Sequence, residues 1–158
     1  MMEQPATADL CDEHGDAVEI CAAPFKDFGG RKRFHGVIRT VLCQDDNGLA
    51  RALLSGQGEG CVLVVDAGGS QRFALMGDNM AQIAIDNGWA GVVIYGAVRD
   101  TAALAGMDIG VKALGAVPRR GSRLGTGEMN VPVSFCGATF TPGWTLYSDE
   151  DGVVAVAP

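Results

Sequence analysis

The chain opens on mixed polar residues, and the first helical spacing runs from Thr7 to Val18, with the residues before it reading as a flexible lead-in over 1–7. Val37–Cys43 is rich in β-branched residues and predicts a strand. Asp46-Asn47 then opens a short helix through Leu54, and Gly56 stops it. Cys61–Asp66 is a continuous apolar run, the pattern of a strand covered on both faces. Gly68-Gly69-Ser70 turns the chain, and Arg72–Met76 returns as a strand. Gly77-Asp78 precedes a helix over Asn79–Asn87, with Asp78 as the expected N-cap and Gly88 as the stop. A second buried strand, Gly91–Gly96, leads through Arg99-Asp100 into a short helix over Thr101–Ala105. This alternation predicts a βαβ unit with a right-handed crossover.

Beyond residue 107 the period shortens. Asp108–Val117, Val131–Phe135, Thr139–Phe140, Thr145–Tyr147 and Gly152–Val156 read as short strands split by Gly, Pro and Asp. The expected architecture is a single α/β domain over 1–158, with a central sheet flanked by helices and a β-rich C-terminal part.

Composition narrows what such a domain does. The 23 glycines among 158 residues imply tight turns and close backbone approaches, and they follow no three-residue period. Acidic residues outnumber basic ones by 19 to 12, for a net charge of −7. That balance gives no bulk attraction to nucleic acid or anionic membranes, so any effect on RNA metabolism is expected through a protein partner. No basic-then-apolar leader opens the chain, and no apolar run approaches the ~20 residues of a membrane helix. Cys11, Cys21, Cys43, Cys61 and Cys136 are odd in number and lack a C-x-x-C pair, which reads as reduced structural thiols in a cytoplasmic protein.

Two segments carry candidate chemistry. Gly77-Asp78-Asn79-Met80 is a helix start whose unpaired N–H groups suit a carboxylate or phosphate, or serve as an ordinary cap. Arg99-Asp100 lies past the C-terminal end of a buried strand, where open α/β sheets place ligands. Arg99 suits a bidentate carboxylate contact and Asp100 a hard divalent cation, Mg²⁺ or Mn²⁺. The alternative is a surface ion pair capping the next helix. His14 and His35 fit no ligand pattern, and Gly56-Gln-Gly-Glu-Gly precedes a strand rather than a helix. Arg119-Arg120 with Arg123 reads as a solvated loop, and Ser148-Asp-Glu-Asp-Gly as a structural turn. Lys112 reads as an outward-pointing strand lysine, with a Schiff-base role as the alternative.

Val-Leu-Val-Val-Asp-Ala-Gly-Gly-Ser at 62–70, Gly77-Asp78, the run 87–100 and Asp108-Ile-Gly-Val-Lys-Ala-Leu-Gly at 108–115 together resemble the RraA-like family. Phe28-Gly29-Gly30 and Tyr147-Ser-Asp-Glu-Asp-Gly-Val-Val also fit, and the likeness runs from about Ala8 to Val156. This group holds metal-dependent pyruvate aldolases and the regulator of ribonuclease E activity A. The resemblance implies a swivelling β/β/α domain assembled as a homotrimer. It also implies class II cleavage of 4-hydroxy-4-methyl-2-oxoglutarate to pyruvate, with oxaloacetate decarboxylation as a side activity, or else inhibition of ribonuclease E. Carried onto this chain, the aldolase pattern places keto-acid binding on Gly77, Asp78, Asn79, Met80 and Arg99, and the metal on Asp100. The aldolases it resembles carry an acidic residue three positions after the metal aspartate, and here that position is Ala103.

Overall fold

The computed structural model describes residues 3–158. Elements follow the chain as α1 (Thr7–His14), a single 3₁₀ turn (Gly15–Ala17), β1 (Glu19–Cys21), β2 (Lys26–Asp27), β3 (Phe34–Leu42), α2 (Gly48–Leu54), β4 (Val62–Asp66), β5 (Ala74–Met76), α3 (Asp78–Asp86), β6 (Gly91–Val98), α4 (Thr101–Leu104), β7 (Gly110–Ala116), β8 (Glu128–Met129), β9 (Val133–Phe135), β10 (Ala138–Phe140), β11 (Thr145–Ser148) and β12 (Val153–Val156). A ten-stranded sheet runs β1-β12-β11-β3-β4-β6-β7-β2, with β5 on β6 and β8 on β3, while β9 and β10 form a separate hairpin. The centre of the large sheet, β3-β4-β6-β7, is parallel, and its C-terminal additions are antiparallel. The expected mixed α/β class is therefore the observed one.

The parallel centre forms because its strands are apolar on both faces. All five residues of β4 are buried. Leu63 and Val65 point into a cluster with α2, α3 and α4, through residues such as Leu54, Ala81 and Leu104. Val62 and Val64 point the other way, onto Phe34, Phe135, Phe140 and Leu146. The β-rich C-terminal part thus covers one face of the sheet and the helices cover the other.

One close approach accounts for part of the glycine content. Gly91 of β6 and Gly110 of β7 lie in register, and a Cβ on either would overlap the Phe34 ring. Two adjacent missing side chains make a slot that the fully buried Phe34 fills. Emptying it by Phe34→Ala would cost about 3–5 kcal/mol by the usual cavity relation.

Two expectations change here. The residues expected to be a flexible lead-in end in a fixed contact: Thr7 is buried, and its N–H and hydroxyl both donate to Asp149, at 2.8 and 2.7 Å. Asp149 thereby caps the start of α1 from the far end of the chain. Met1 and Met2 lie outside the described residues. Lys112 points inward rather than outward. It is 3% exposed, its Nζ donates to the carbonyl of Asp149 at 2.8 Å, and it pairs with Asp27 at 3.4 Å. Asp27 stands directly opposite it across the β2–β7 register. Among the described residues, no helix is long and apolar enough to cross a membrane.

Candidate active site

The site is built where one strand replaces another beside β6. Strand β4 pairs with β6 as far as Asp66 against Tyr95, and then leaves the sheet. Strand β5 takes over the same edge, Ala74 against Ala97 and Met76 against Val98, again parallel. Both β5 and β6 therefore end at the same place and point the same way. The Arg99 N–H donates to the Met76 carbonyl at 2.9 Å, which extends the pairing into the loops. Gly77-Asp78 and Arg99-Asp100, 22 residues apart in sequence, are thereby brought side by side.

The contact between them is direct. The Asp100 carboxylate accepts the Asp78 N–H through Oδ2 at 3.1 Å. This revises the expected N-cap of α3: Gly77 occupies the cap position and no side chain there caps the helix. The capping carboxylate comes instead from Asp100, whose charge favours the positive end of the helix. Gly77 is required by space, since a Cβ there would overlap Asp100 Oδ2 and stand 3.1 Å from Arg99 Cγ. Asp100 itself holds φ 59° and ψ 42°, a left-handed conformation that costs a non-glycine residue free energy. The strain aims its carboxylate back at α3. Arg99 Nε lies 4.0 Å from Asp100 Oδ2, and its Nη1 donates to the Pro118 carbonyl at 3.5 Å.

These groups line one small cleft open to solvent. Gly77, Asp78, Asn79, Met80, Arg99 and Asp100 all border it, so the structure brings the two candidate segments together in one place. Among the described residues, no protein acceptor meets the amides of Asn79 and Met80.

Sequence reasoning missed four further polar lining residues: Asn47, Arg51, Arg120 and Arg123. The loop expected to be merely solvated is held in place by Asp46. That carboxylate accepts the Ser122 hydroxyl at 2.6 Å and the backbone N–H groups of Leu124 and Gly125 at 2.8 and 3.0 Å, besides Gly48 at 2.9 Å. Burial opposes its ionisation, but these donors outweigh burial and hold its carboxyl down at about 2. Arg120 is fixed through its backbone, by a parallel bridge to Ala74 of β5. Arg123 is exposed; slight desolvation, and then the like charges of Arg120, Arg51 and Arg99, lower the pKa of its guanidinium. The one local signal was Asp46-Asn47 itself, an Asx pair read only as a helix start.

Lys112 does not border this cleft. The five thiols are unpaired, and burial pushes those of Cys21 and Cys43 up to about 11 and about 12, which leaves them protonated and inert.

A family model described as RraA-like, Aldolase/RraA, matches residues 7–155. The chain belongs to the RraA-like family. Among its relatives, a protein of Alkalilimnicola ehrlichii named "Putative 4-hydroxy-4-methyl-2-oxoglutarate aldolase" is 53% identical over 94% of this chain and 92% of its own. One of the same name from Laribacter hongkongensis is 51% identical over 94% and 93%. Among solved structures, the RNA-processing inhibitor RraA from Thermus thermophilis superposes with a TM-score of 0.95 at 44% identity, covering 99% of this chain and 95% of that one. A Geobacillus kaustophilus structure described as an S-adenosylmethionine:2-dimethylmenaquinone methyltransferase gives 0.94 at 45% identity, covering 96% and 94%.

Proposed function

We propose that this RraA-like protein is a divalent-metal-dependent lyase that cleaves 4-hydroxy-4-methyl-2-oxoglutarate into two molecules of pyruvate, and decarboxylates oxaloacetate at the same site. The observation that carries this reading is the shared cleft, in which Arg99 and Asp100 face the unpaired amides at the start of α3.

The donors fit a hard cation held sparingly. Asp100 uses Oδ2 on α3, while Oδ1 has no protein partner among the described residues. No group of three or more His, Cys, Asp or Glu side chains gathers there among the described residues, so water and substrate oxygens would complete the coordination. When bound, the cation supplies electrophilic polarisation of the 2-oxo acid. The protein's own groups do the rest. Arg99 and the amides of Asn79 and Met80 bind the pyruvoyl carboxylate and orient it. The C4 hydroxyl gives its proton to solvent, the C3–C4 bond breaks as the C4 carbonyl forms, and the electron pair of that bond passes into the C2–C3 bond and the C2 oxygen. Arg99 stabilises the resulting enolate, a charge that exists only late in the reaction. Protonation at C3 gives the second pyruvate. Oxaloacetate loses CO₂ through the same enolate.

A coupled pyruvate-release assay tests this directly. Release from both substrates with Mg²⁺, abolished by EDTA and restored by Mg²⁺ or Mn²⁺, is expected. Absence of release from either substrate removes the proposal.

A second reading, inhibition of ribonuclease E, is favoured by Ala103 standing on α4, the short helix that follows Asp100, and by the −7 charge. An acidic body, assembled as the homotrimer the family likeness implies, would occupy a basic protein surface. Unchanged ribonuclease E turnover at micromolar protein excludes it.

A further inference from the structure

The hairpin β9–β10 stands outside the ten-stranded sheet, and its tip touches that sheet at one edge. The tip is Cys136-Gly137, with φ +49° and +84°, the left-handed pair of a two-residue hairpin turn. Asn or Gly meets that demand at least cost, so a cysteine there adds strain that an ordinary turn residue would avoid. The sheet edge is β1, and the Ala22 N–H just after it donates to the Cys136 carbonyl at 2.9 Å. That nitrogen is joined to Cys21 and that oxygen belongs to Cys136. A single hydrogen bond therefore holds the two residues at the spacing of a disulfide, whose Cα atoms stand roughly 4.4–6.8 Å apart.

The side chains share surroundings as well as backbone. Cys21 is buried among Phe34, Phe135 and Val153, and half-buried Cys136 packs on the same cluster. The Tyr95 hydroxyl meets the Cys136 thiol, while the Tyr95 ring stacks on Phe135 at 4.6 Å. Burial first, and the neighbouring Cys136 after it, raise the pKa of Cys21. The other thiols lie elsewhere: Cys43 and Cys61 pack in the cluster under the helices, and Cys11 with Val18 and Val154. An open groove along Cys21, Ala22, Ala23 and Phe25 admits a small solute to this corner.

We propose that Cys21 and Cys136 are a redox-sensitive pair that peroxide converts to a disulfide, fastening the β9–β10 hairpin to the edge strand β1. Hydrogen peroxide oxidises the more exposed Cys136 thiol to a sulfenic acid and leaves as water. The Cys21 sulfur then bonds to the Cys136 sulfur, and the hydroxyl leaves with the Cys21 proton as a second water. The pair loses two electrons and peroxide takes both. Cys21, protonated and inert to solutes, reacts with this one partner because the two are held together, at an effective concentration that no solute reaches.

The test is peroxide treatment of the intact protein, followed by unfolding, alkylation of the remaining thiols and peptide mass analysis. The free thiols are expected to fall from five to three, with the Cys21 peptide linked to the Cys136 peptide. The thermal midpoint should rise by roughly 5–10 °C and return with dithiothreitol. Cys136→Ser should keep its four thiols. Cys21→Ser should leave Cys136 as a sulfenic acid that dimedone traps, and Cys61→Ser should still form the link. Should Cys21→Ser not fold, the linked peptides of the unmodified protein decide alone. Five thiols after excess peroxide, or a linkage that leaves out Cys21 or Cys136, overturn the pair. A bond whose yield rises with protein concentration also overturns it, since that marks joining between molecules.

Discussion

Two helix starts in this protein are capped by aspartates borrowed from elsewhere in the chain, and they differ in how completely those aspartates are used. At α1, Asp149 is 5% exposed and receives three donors, two from Thr7 and one from Asp151, while its carbonyl accepts Lys112. Burial works against ionisation there, yet the donors win and hold the Asp149 carboxyl below the ordinary range. At α3, Asp100 receives one backbone donor, lies in a left-handed conformation and faces a cleft with one oxygen open. The neighbouring cations follow the same division. Lys112 is enclosed and paired, whereas Arg51, Arg120 and Arg123 form no salt bridge among the described residues. A saturated arrangement holds the fold, and an unsaturated one of the same parts is available to a ligand.

Substitutions at the two ends should separate activity from stability. The largest effect is expected from Arg99→Ala, which should lower kcat/KM for pyruvate release by about a thousandfold, the scale of a lost oxyanion donor. Its thermal midpoint should barely move, because the side chain makes only long contacts. Lys112→Met should do the reverse. It leaves Asp27 and the Asp149 carbonyl without their cation and should cost about 3 kcal/mol in urea unfolding. Activity per folded molecule should be retained. If Lys112→Met instead removed turnover with little loss of stability, the division between the two ends would collapse.

The expected elements were legible where the cause was local. The two apolar runs at Cys61–Asp66 and Gly91–Gly96 became parallel strands because an uninterrupted apolar run can only be buried on both faces. Gly88 ends α3 with φ +80°, as a C-terminal glycine should. What was not legible depends on partners distant in sequence. Nothing near Lys112 announces Asp27 across the strand pair, and nothing near Arg123 announces Asp46. The identity of Asp100 as the cap of α3 required knowing that β5 replaces β4 beside β6. Arg99-Asp100 was recognisable because the end of a parallel strand is a general ligand position. Its arginine neighbours follow no such rule.

Smaller effects sharpen the contrast further. Asp46 holds the loop that carries Arg123, and its carboxyl lies at about 2 against an ordinary 3.8. Its contribution to stability is therefore complete above about pH 4 and is lost as the pH falls through about 2. Asp46→Asn should remove about 1 kcal/mol at pH 7, allowing for screening near the surface, and little at pH 2. Urea titrations at the two pH values read this out. The smallest change is expected from Ala103→Glu. A carboxylate returned to this exposed position should lower the Mg²⁺ concentration for half-maximal turnover by about threefold, the scale of an exposed charge interaction. No change would mean that position 103 does not sense the cation.

The handover from β4 to β5 has a consequence for how the sequence can vary. The connector over 67–73 sets where β5 joins β6, and thus how far Met76 travels before Gly77 meets Asp100. Lengthening it by a single residue would slide the whole of α3 relative to Arg99, although no residue of the cleft had changed. Identity is constrained here as well, since Gly68 and Gly69 hold φ +67° and +77° and the Ser70 hydroxyl donates to Asp45, so a change in this segment can silence the site from outside it.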